Sequence, residues 1–247
     1  MEARGNLRET VGVNDEPSPG GPALIITADD YGYSPAYDRG ILEAARAGAL
    51  DAVGAFATPE REGAPGSLLE TGVEIGLHLD LGGDAGEPHG AGRALVLSGA
   101  RGQLDRFAAL YGGPPAFLDG HHHAHAAPGV AAVIGQLARE LDLPVRSVSD
   151  AHRRLLRSLG VRTPDRLIGR LDEGEPAMPA EVEAVLGGAG LPGGVTEWMV
   201  HPGHRDPGAG SSYDAGRGED LRLLLDLGDR DAWLKRGVAR GDRALLG

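Results

Sequence analysis

Short apolar runs alternate along the chain with longer amphipathic stretches. Ala23-Leu24-Ile25-Ile26-Thr27-Ala28 is a continuous β-prone run, as expected of a parallel strand buried on both faces. It ends in Asp29-Asp30-Tyr31-Gly32, and Ser34-Pro35 then offers an N-cap and a proline for the first helical position. The helix so predicted carries Ile41 and Leu42 and stops at Gly48. Further strands are predicted over 51–58, 73–79, 116–119, 144–146 and 194–200, with weaker signals at Val161 and Leu167-Ile168. Helices are predicted around 104–111, 150–159, 181–186 and 219–227. The strongest spans 128–141, with Val130, Val133, Ile134, Leu137 and Leu141 on one stripe. Trp198, by strand alternation, should point into the helix layer.

Strands that alternate with helices imply a parallel sheet with helices outside, and about seven such units suit a closed or nearly closed barrel. We therefore expect one α/β domain over 22–247, a TIM-like (β/α) barrel. Residues 1–21, polar and rich in proline and glycine near their end, are expected to be a disordered tail. A Gly-rich loop is expected from Gly82 to about Gly102.

Composition narrows the chemistry. The formal charge of −12 disfavours a nucleic-acid partner, and no basic cluster marks an anionic membrane surface. A neutral ligand such as a sugar fits better. With no cysteine, any metal must be held by His, Asp or Glu. No apolar run approaches membrane-spanning length and residues 1–21 lack a signal-peptide core, so a cytoplasmic location is the default expectation. Oligomeric state is left open.

Four of the nine histidines fall within Phe117-Leu118-Asp119-Gly120-His121-His122-His123-Ala124-His125. In an extended backbone Asp119, His121, His123 and His125 would share one face, opposite His122 and Ala124. A carboxylate and three imidazoles converging make a metal or acid–base site; a solvated histidine loop fits the same letters. Other predicted strands also end in ionisable residues: Asp29-Asp30, His78 and His201. In a parallel barrel these ends lie on one face, where active sites form. Each motif alone reads equally as a turn. His152 and His204 are expected at the surface.

Four ordered blocks carry a family resemblance: Ile26-Thr27-Ala28-Asp29-Asp30-Tyr31-Gly32, Ile75-Gly76-Leu77-His78-Leu79, Leu118 to His125 with Pro128, and Glu197-Trp198-Met199-Val200-His201-Pro202-Gly203. They resemble the signature blocks of the YdjC-like carbohydrate deacetylases, which include bacterial chitooligosaccharide deacetylases. Arg146, Tyr213, Arg217 and Glu219 also sit where that family has similar residues. The resemblance implies a distorted TIM-like barrel that removes N-acetyl groups from amino sugars with a divalent metal. It implies Asp30, His78 and His121 as metal ligands and Asp29 as catalytic base. The span from His78 to His121 is shorter than usual in the family, which leaves the particular sugar open.

On that footing His201 is the candidate acid for the departing amine, and Arg146 would hold Asp29 ionised and oriented. Taken alone, Arg146 reads equally as a surface arginine. Asp119, His123 and His125 are candidates for orienting a ligand histidine or touching substrate. Two imidazoles and a carboxylate favour Zn²⁺ or a similar transition ion, whereas the resemblance allows Mg²⁺. Hydrolysis of an O-acetyl ester or phosphoester remains an alternative, as does a non-catalytic sugar- or metal-binding barrel.

Overall fold

The structure, a computed structural model, describes residues 21–82, 92–170 and 177–247. The expected tail therefore lies outside the described residues except for Gly21, as do residues 83–91 of the Gly-rich stretch.

The elements keep the predicted alternation, with Pro65–Leu69, Arg230–Leu234 and Ala239–Arg240 added to those the sequence signalled. Strand β1 (Pro22–Tyr31) leads into α1 (Pro35–Arg46), β2 (Ala52–Ala55), α2 (Pro65–Leu69) and β3 (Glu74–Leu79). Then come α3 (Arg93–Tyr111), β4 (Leu118–Gly120), α4 (Ala131–Leu141) and α5 (Asp150–Ser158). The chain closes with β5 (Arg166–Gly169), α6 (Ala180–Leu186), β6 (Gly194–Val200), α7 (Asp214–Leu227), α8 (Arg230–Leu234) and β7 (Ala239–Arg240). Ser34 caps α1 by accepting from the Ala36 and Tyr37 amides, and Ser149 caps α5 by accepting from the His152 amide.

Among the described residues the strands pair in parallel, in the order β4-β3-β2-β1-β6-β5, with β7 beside the start of β1. Beyond β4, Leu118 bridges Val145, and the Val145 amide donates to Arg162 O at 3.0 Å, four residues before β5. The sheet thus curls round as the expected distorted barrel. Residues 144–146, expected as a strand, make this bridge instead.

Strand alternation sorts the side chains. Leu24, Ile26, Ala28, Val53, Ala55, Leu77, Leu79, Trp198 and Val200 face the helices and form the large core. There Trp198 meets Trp233 edge-on at 6.3 Å, as its strand position predicted. Ala23, Ile25, Ala52, Phe117 and Val195 form a second, small cluster that plugs the barrel floor.

Two expectations need correction. Helix α3 starts at Arg93 rather than near Leu104, so 93–102 is helix and not loop. Burial of Val96, Ala100, Phe107 and Tyr111 on one stripe outweighs the cost of about 1 kcal/mol for each interior glycine. His152 is buried, not at the surface, because it lies one turn before Leu156 on the inner face of α5. His204 is exposed, as expected, and pairs with Glu43 at 3.1 Å.

Candidate active site

The interior face of each strand changes character from floor to mouth. On β1 the inward column runs Ala23, Ile25, Thr27, Asp29; on β6 it runs Val195, Glu197, Met199 and then His201. Phe117 and Asp119 do the same at β4. Gly54 leaves room for this polar layer: a Cβ there would stand 3.0 Å from Asp119 Oδ2 and 3.3 Å from His78 Nδ1.

Strict alternation would send Asp29 and Asp30 to opposite faces. The pairing of β1 with β2 instead shifts register between Ala28 and Tyr31, and Asp30 takes a left-handed conformation at φ 72°. This bulge turns both carboxylates into one cavity. Gly32 N donates to Asp38 Oδ1 at 2.6 Å just beyond it.

Asp30, His78 and His121 come together as the resemblance implied. Their donor atoms lie within 4.8 Å of one another. Asp30 Oδ1 is 3.3 Å from His78 Nε2 and 3.1 Å from His121 Nδ1. The other His78 nitrogen, Nδ1, pairs with Asp119 Oδ1 at 2.9 Å, which fixes the ring. Two imidazole nitrogens and a carboxylate oxygen, one ring held through its far side by a carboxylate, fit a divalent transition ion by donor chemistry. Arg217 takes the other Asp30 oxygen at 2.5 Å and stacks on Tyr37 at 3.8 Å.

Below this group lies an ionic layer. Arg146, nearly fully buried, forks onto both oxygens of Asp29 at 2.5 and 2.8 Å. The same guanidinium reaches Glu197 Oε1 at 3.0 Å and Asp119 Oδ2 at 3.0 Å. Arg243 enters from the floor, over the Phe117 ring, and donates to the same Glu197 oxygen at 2.5 Å. Asp29, Arg146, Glu197, Arg243 and Glu74 therefore alternate in sign down the barrel.

Titration follows from these contacts. Burial works against an ionised Asp29, but Arg146 overcomes it and holds the carboxyl well below the usual range. Asp30 is likewise buried yet held well below that range, by Arg217 first and then by His121 and His78. Burial disfavours a cationic His78, but Asp119, with Asp30 and Asp29, pushes its pKa up to about 10. His201 goes the other way: desolvation lowers its pKa despite Asp30 and Asp29 nearby.

The histidine run is not extended. Residues His121–Ala126 form a 3₁₀ turn in which His122 and His123 take φ of 49° and 57°. The expected alternation of faces is therefore overturned. His121 points to Asp30 and His78, and the ring of exposed His122 lies tilted against it with centroids 4.0 Å apart. His123 lines the cavity, its pKa pushed down to about 4, by burial first and then by Arg146. His125 is fully buried behind the cavity, beside His152, and is not among the cavity-lining residues. This removes His125 as a direct substrate contact.

Asp29, Asp30, His78, His121, His123 and His201 share a cavity of about 450 Å³, within the range of small-ligand sites. Its far wall adds Arg170, Ser211, Ser212, Tyr213 and Arg217. Tyr213 stands 4.9 Å from His201 ring to ring and donates to Asp220, whose Oδ2 accepts the His201 amide at 2.9 Å. Sequence reading assigned no role to Glu197, Arg170, Asp220 or Arg243. For Glu197 there was a signal, a charged letter at an inward position of an otherwise apolar strand. Arg243 carried none, since its partners lie 46 and 169 residues away.

A family model described as YdjC-like protein matches residues 23–233. The chain belongs to the YdjC-like protein family. A carbohydrate deacetylase of Geobacillus stearothermophilus is 31% identical over 239 residues, covering 82% of this chain and 89% of that protein. A chitooligosaccharide deacetylase of Serratia marcescens is 29% identical over 57% of this chain, and the match spans 64% of that relative's length. Among solved structures, an Enterococcus faecalis protein named for cellobiose-phosphate cleavage superposes with a TM-score of 0.73 at 24% identity. It covers 92% of this chain and 99% of its own, and the likeness supports the fold of this family member.

Proposed function

We propose that the chain is a metal-dependent deacetylase of an N-acetylated amino sugar or glycoconjugate. The observation that carries this is the meeting of Asp30, His78 and His121, 91 residues apart at the extremes, around one point beside an ionised Asp29. Its family relatives named as carbohydrate and chitooligosaccharide deacetylases support the same reading. These three residues would hold one divalent cation, which when bound supplies Lewis acidity and lowers the pKa of a water molecule.

The chain's own residues supply the rest. Water adds to the amide carbon and its proton passes to Asp29. The bidentate Arg146 contact keeps Asp29 ionised and pointed at the cavity, at the cost of basicity. The carbon–nitrogen bond then breaks and the leaving nitrogen needs a proton, for which His201 is the donor. Desolvation lowers the His201 pKa, so free His201 starts neutral, and the proton it delivers is the one Asp29 has taken from the attacking water. The products are acetate and the free amine. His123, kept uncharged, forms wall surface beside the reacting group.

The test is acetate release from N-acetylglucosamine oligomers by protein loaded with Zn²⁺ or Mg²⁺, alongside elemental analysis. Activity should vanish with chelator and return with metal, and His121→Ala should lose both metal and turnover. Turnover of nitrophenyl phosphate or acetyl-xylan in place of the amide would reassign the bond that is cut. Metal content unchanged in His121→Ala would show the ligand set to be wrong.

A further inference from the structure

We propose that His125 is a positioning residue that clamps the Arg146 backbone and thereby sets the guanidinium on Asp29. The proposal rests on the reading of Asp29 as the reacting carboxylate. His125 touches neither the cavity nor the metal group, yet it is fully buried. Its Nε2 lies 3.0 Å from Arg146 O, so the ring donates there. The opposite nitrogen, Nδ1, has no partner and faces the backbone of Gly120, where an added Cβ would stand only 2.8 Å away. Burial, with His123 and His152 beside it, keeps the imidazole neutral, so it carries a single N–H. A carbonyl acceptor on one side and a bare glycine on the other fix which nitrogen bears it.

Arg146 needs such a clamp. It stands in a segment joined to β4 by an isolated bridge rather than by a strand ladder. Its amide donates to Leu118 O at 3.0 Å, and its carbonyl accepts from His125. Both bonds come from the stretch that also carries Asp119 and His121. The left-handed conformations of His122 and His123 bend that stretch so that His121 reaches the metal group while His125 turns back under Arg146. Arg146 is thereby locked to the same frame as two of the residues it must be aligned with. Backbone strain at two successive histidines has a purpose on this account, since it lets one short turn serve both ends of the site.

The experiment compares His125→Gln with His125→Met in the full chain. Both fill the ring's volume, but only glutamine keeps an N–H at the reach of Nε2. Three quantities are read: Zn²⁺ affinity, kcat and KM for acetate release, and the ¹H–¹⁵N signal of the Arg146 Nε–H, which is hydrogen-bonded to Glu197. We expect His125→Met to lose kcat on the order of tenfold, the worth of one hydrogen bond, with KM and Zn²⁺ affinity unchanged and the Arg146 signal shifted or broadened. His125→Gln should keep most of the activity and the native signal. Should His125→Met fail to fold, His125→Asn, whose amide falls short of Arg146 O, takes its place. Wild-type kcat and Arg146 signal in the methionine variant would overturn the proposal, as would a glutamine variant as impaired as the methionine one. If the wild-type protein releases no acetate from any substrate, the deacetylase reading fails, while the Arg146 signal still decides whether His125 holds that side chain.

Discussion

The two ends of the barrel each bury an aspartate against arginine, and they differ in what is left over. At the floor, Asp51 is 1% exposed and accepts from the Ile26 amide, Arg240 and Arg230 at 2.8–3.0 Å. Both its oxygens are filled; Arg240 also donates to Gly228 O at 3.3 Å, and one atom beside them, Arg240 Nη2, has no partner. At the mouth, Asp29 is equally buried and equally paired, but it lines a cavity. Around it stand buried polar atoms with no partner, among them His201 Nδ1, His123 Nδ1, Arg217 Nε and Glu197 Oε2. A buried ion pair with a single orphaned atom serves the fold, whereas several unsatisfied polar atoms gathered at a cavity around a paired carboxylate leave capacity for a ligand.

Removing each aspartate should expose this difference. Asp29→Asn is expected to lower turnover by about 10²–10⁴, the usual contribution of a general base, with metal content little changed; because Arg146 keeps Asp119 and Glu197 as partners, stability should fall by less than in an Asp51 variant. Metal analysis beside acetate-release kinetics checks it, and retained activity would place the base elsewhere. Asp51→Ala should do the reverse. It leaves the Arg240 charge buried without its partner, so stability should fall by about 3–5 kcal/mol in denaturant unfolding, while kcat of the folded fraction and metal affinity stay as in the wild type. A comparable loss of kcat in Asp51→Ala would erase the distinction between the two ends.

The smallest effect concerns acid sensitivity between the two ends. His152 and His123 are pushed down to about 4, and His125 is also lowered, in each case by burial first. Their folded pKa values lie below the unfolded value of about 6.5, so the unfolded chain binds more protons between these limits. Stability should therefore fall as pH drops from about 6.5 towards 4. His152→Leu should flatten that fall, measured as Tm against pH, without moving the pH profile of kcat. An unaltered slope would mean that His152 is not neutral in the folded state.

Much of this was legible in the letters. The inward and outward faces of β1 and β6 follow from period two, which is why Trp198 could be sent to the helix layer, and His201 was sent to the mouth because it follows the carboxyl end of its strand. Ionisable residues at strand ends pointed to one face of the barrel, and the family resemblance carried by four ordered blocks implied Asp30, His78 and His121 as the set. The first half of the helix at 93–111 was read as loop because interior glycines obscured a stripe that only packing against the core makes decisive. His125 was placed on the wrong face because period-two reasoning assumes an extended backbone, which two left-handed histidines abolish.

The sequence by itself determined the alternation of elements, the polarity of each strand end and the chemistry of the donor set, since these are properties of residue type and local spacing. Tertiary structure decided where adjacent side chains point and which distant charges meet. Neighbouring Asp29 and Asp30 share one cavity because the register of β1 against β2 slips there. Arg146 finds Asp29 and Glu197, and Arg217 finds Asp30, across separations of 117, 51 and 187 residues. No local rule sets those pairings. Curling the sheet brings the charges within a few ångströms in a medium too poor in water to solvate them singly, and pairing is then the arrangement of lowest free energy.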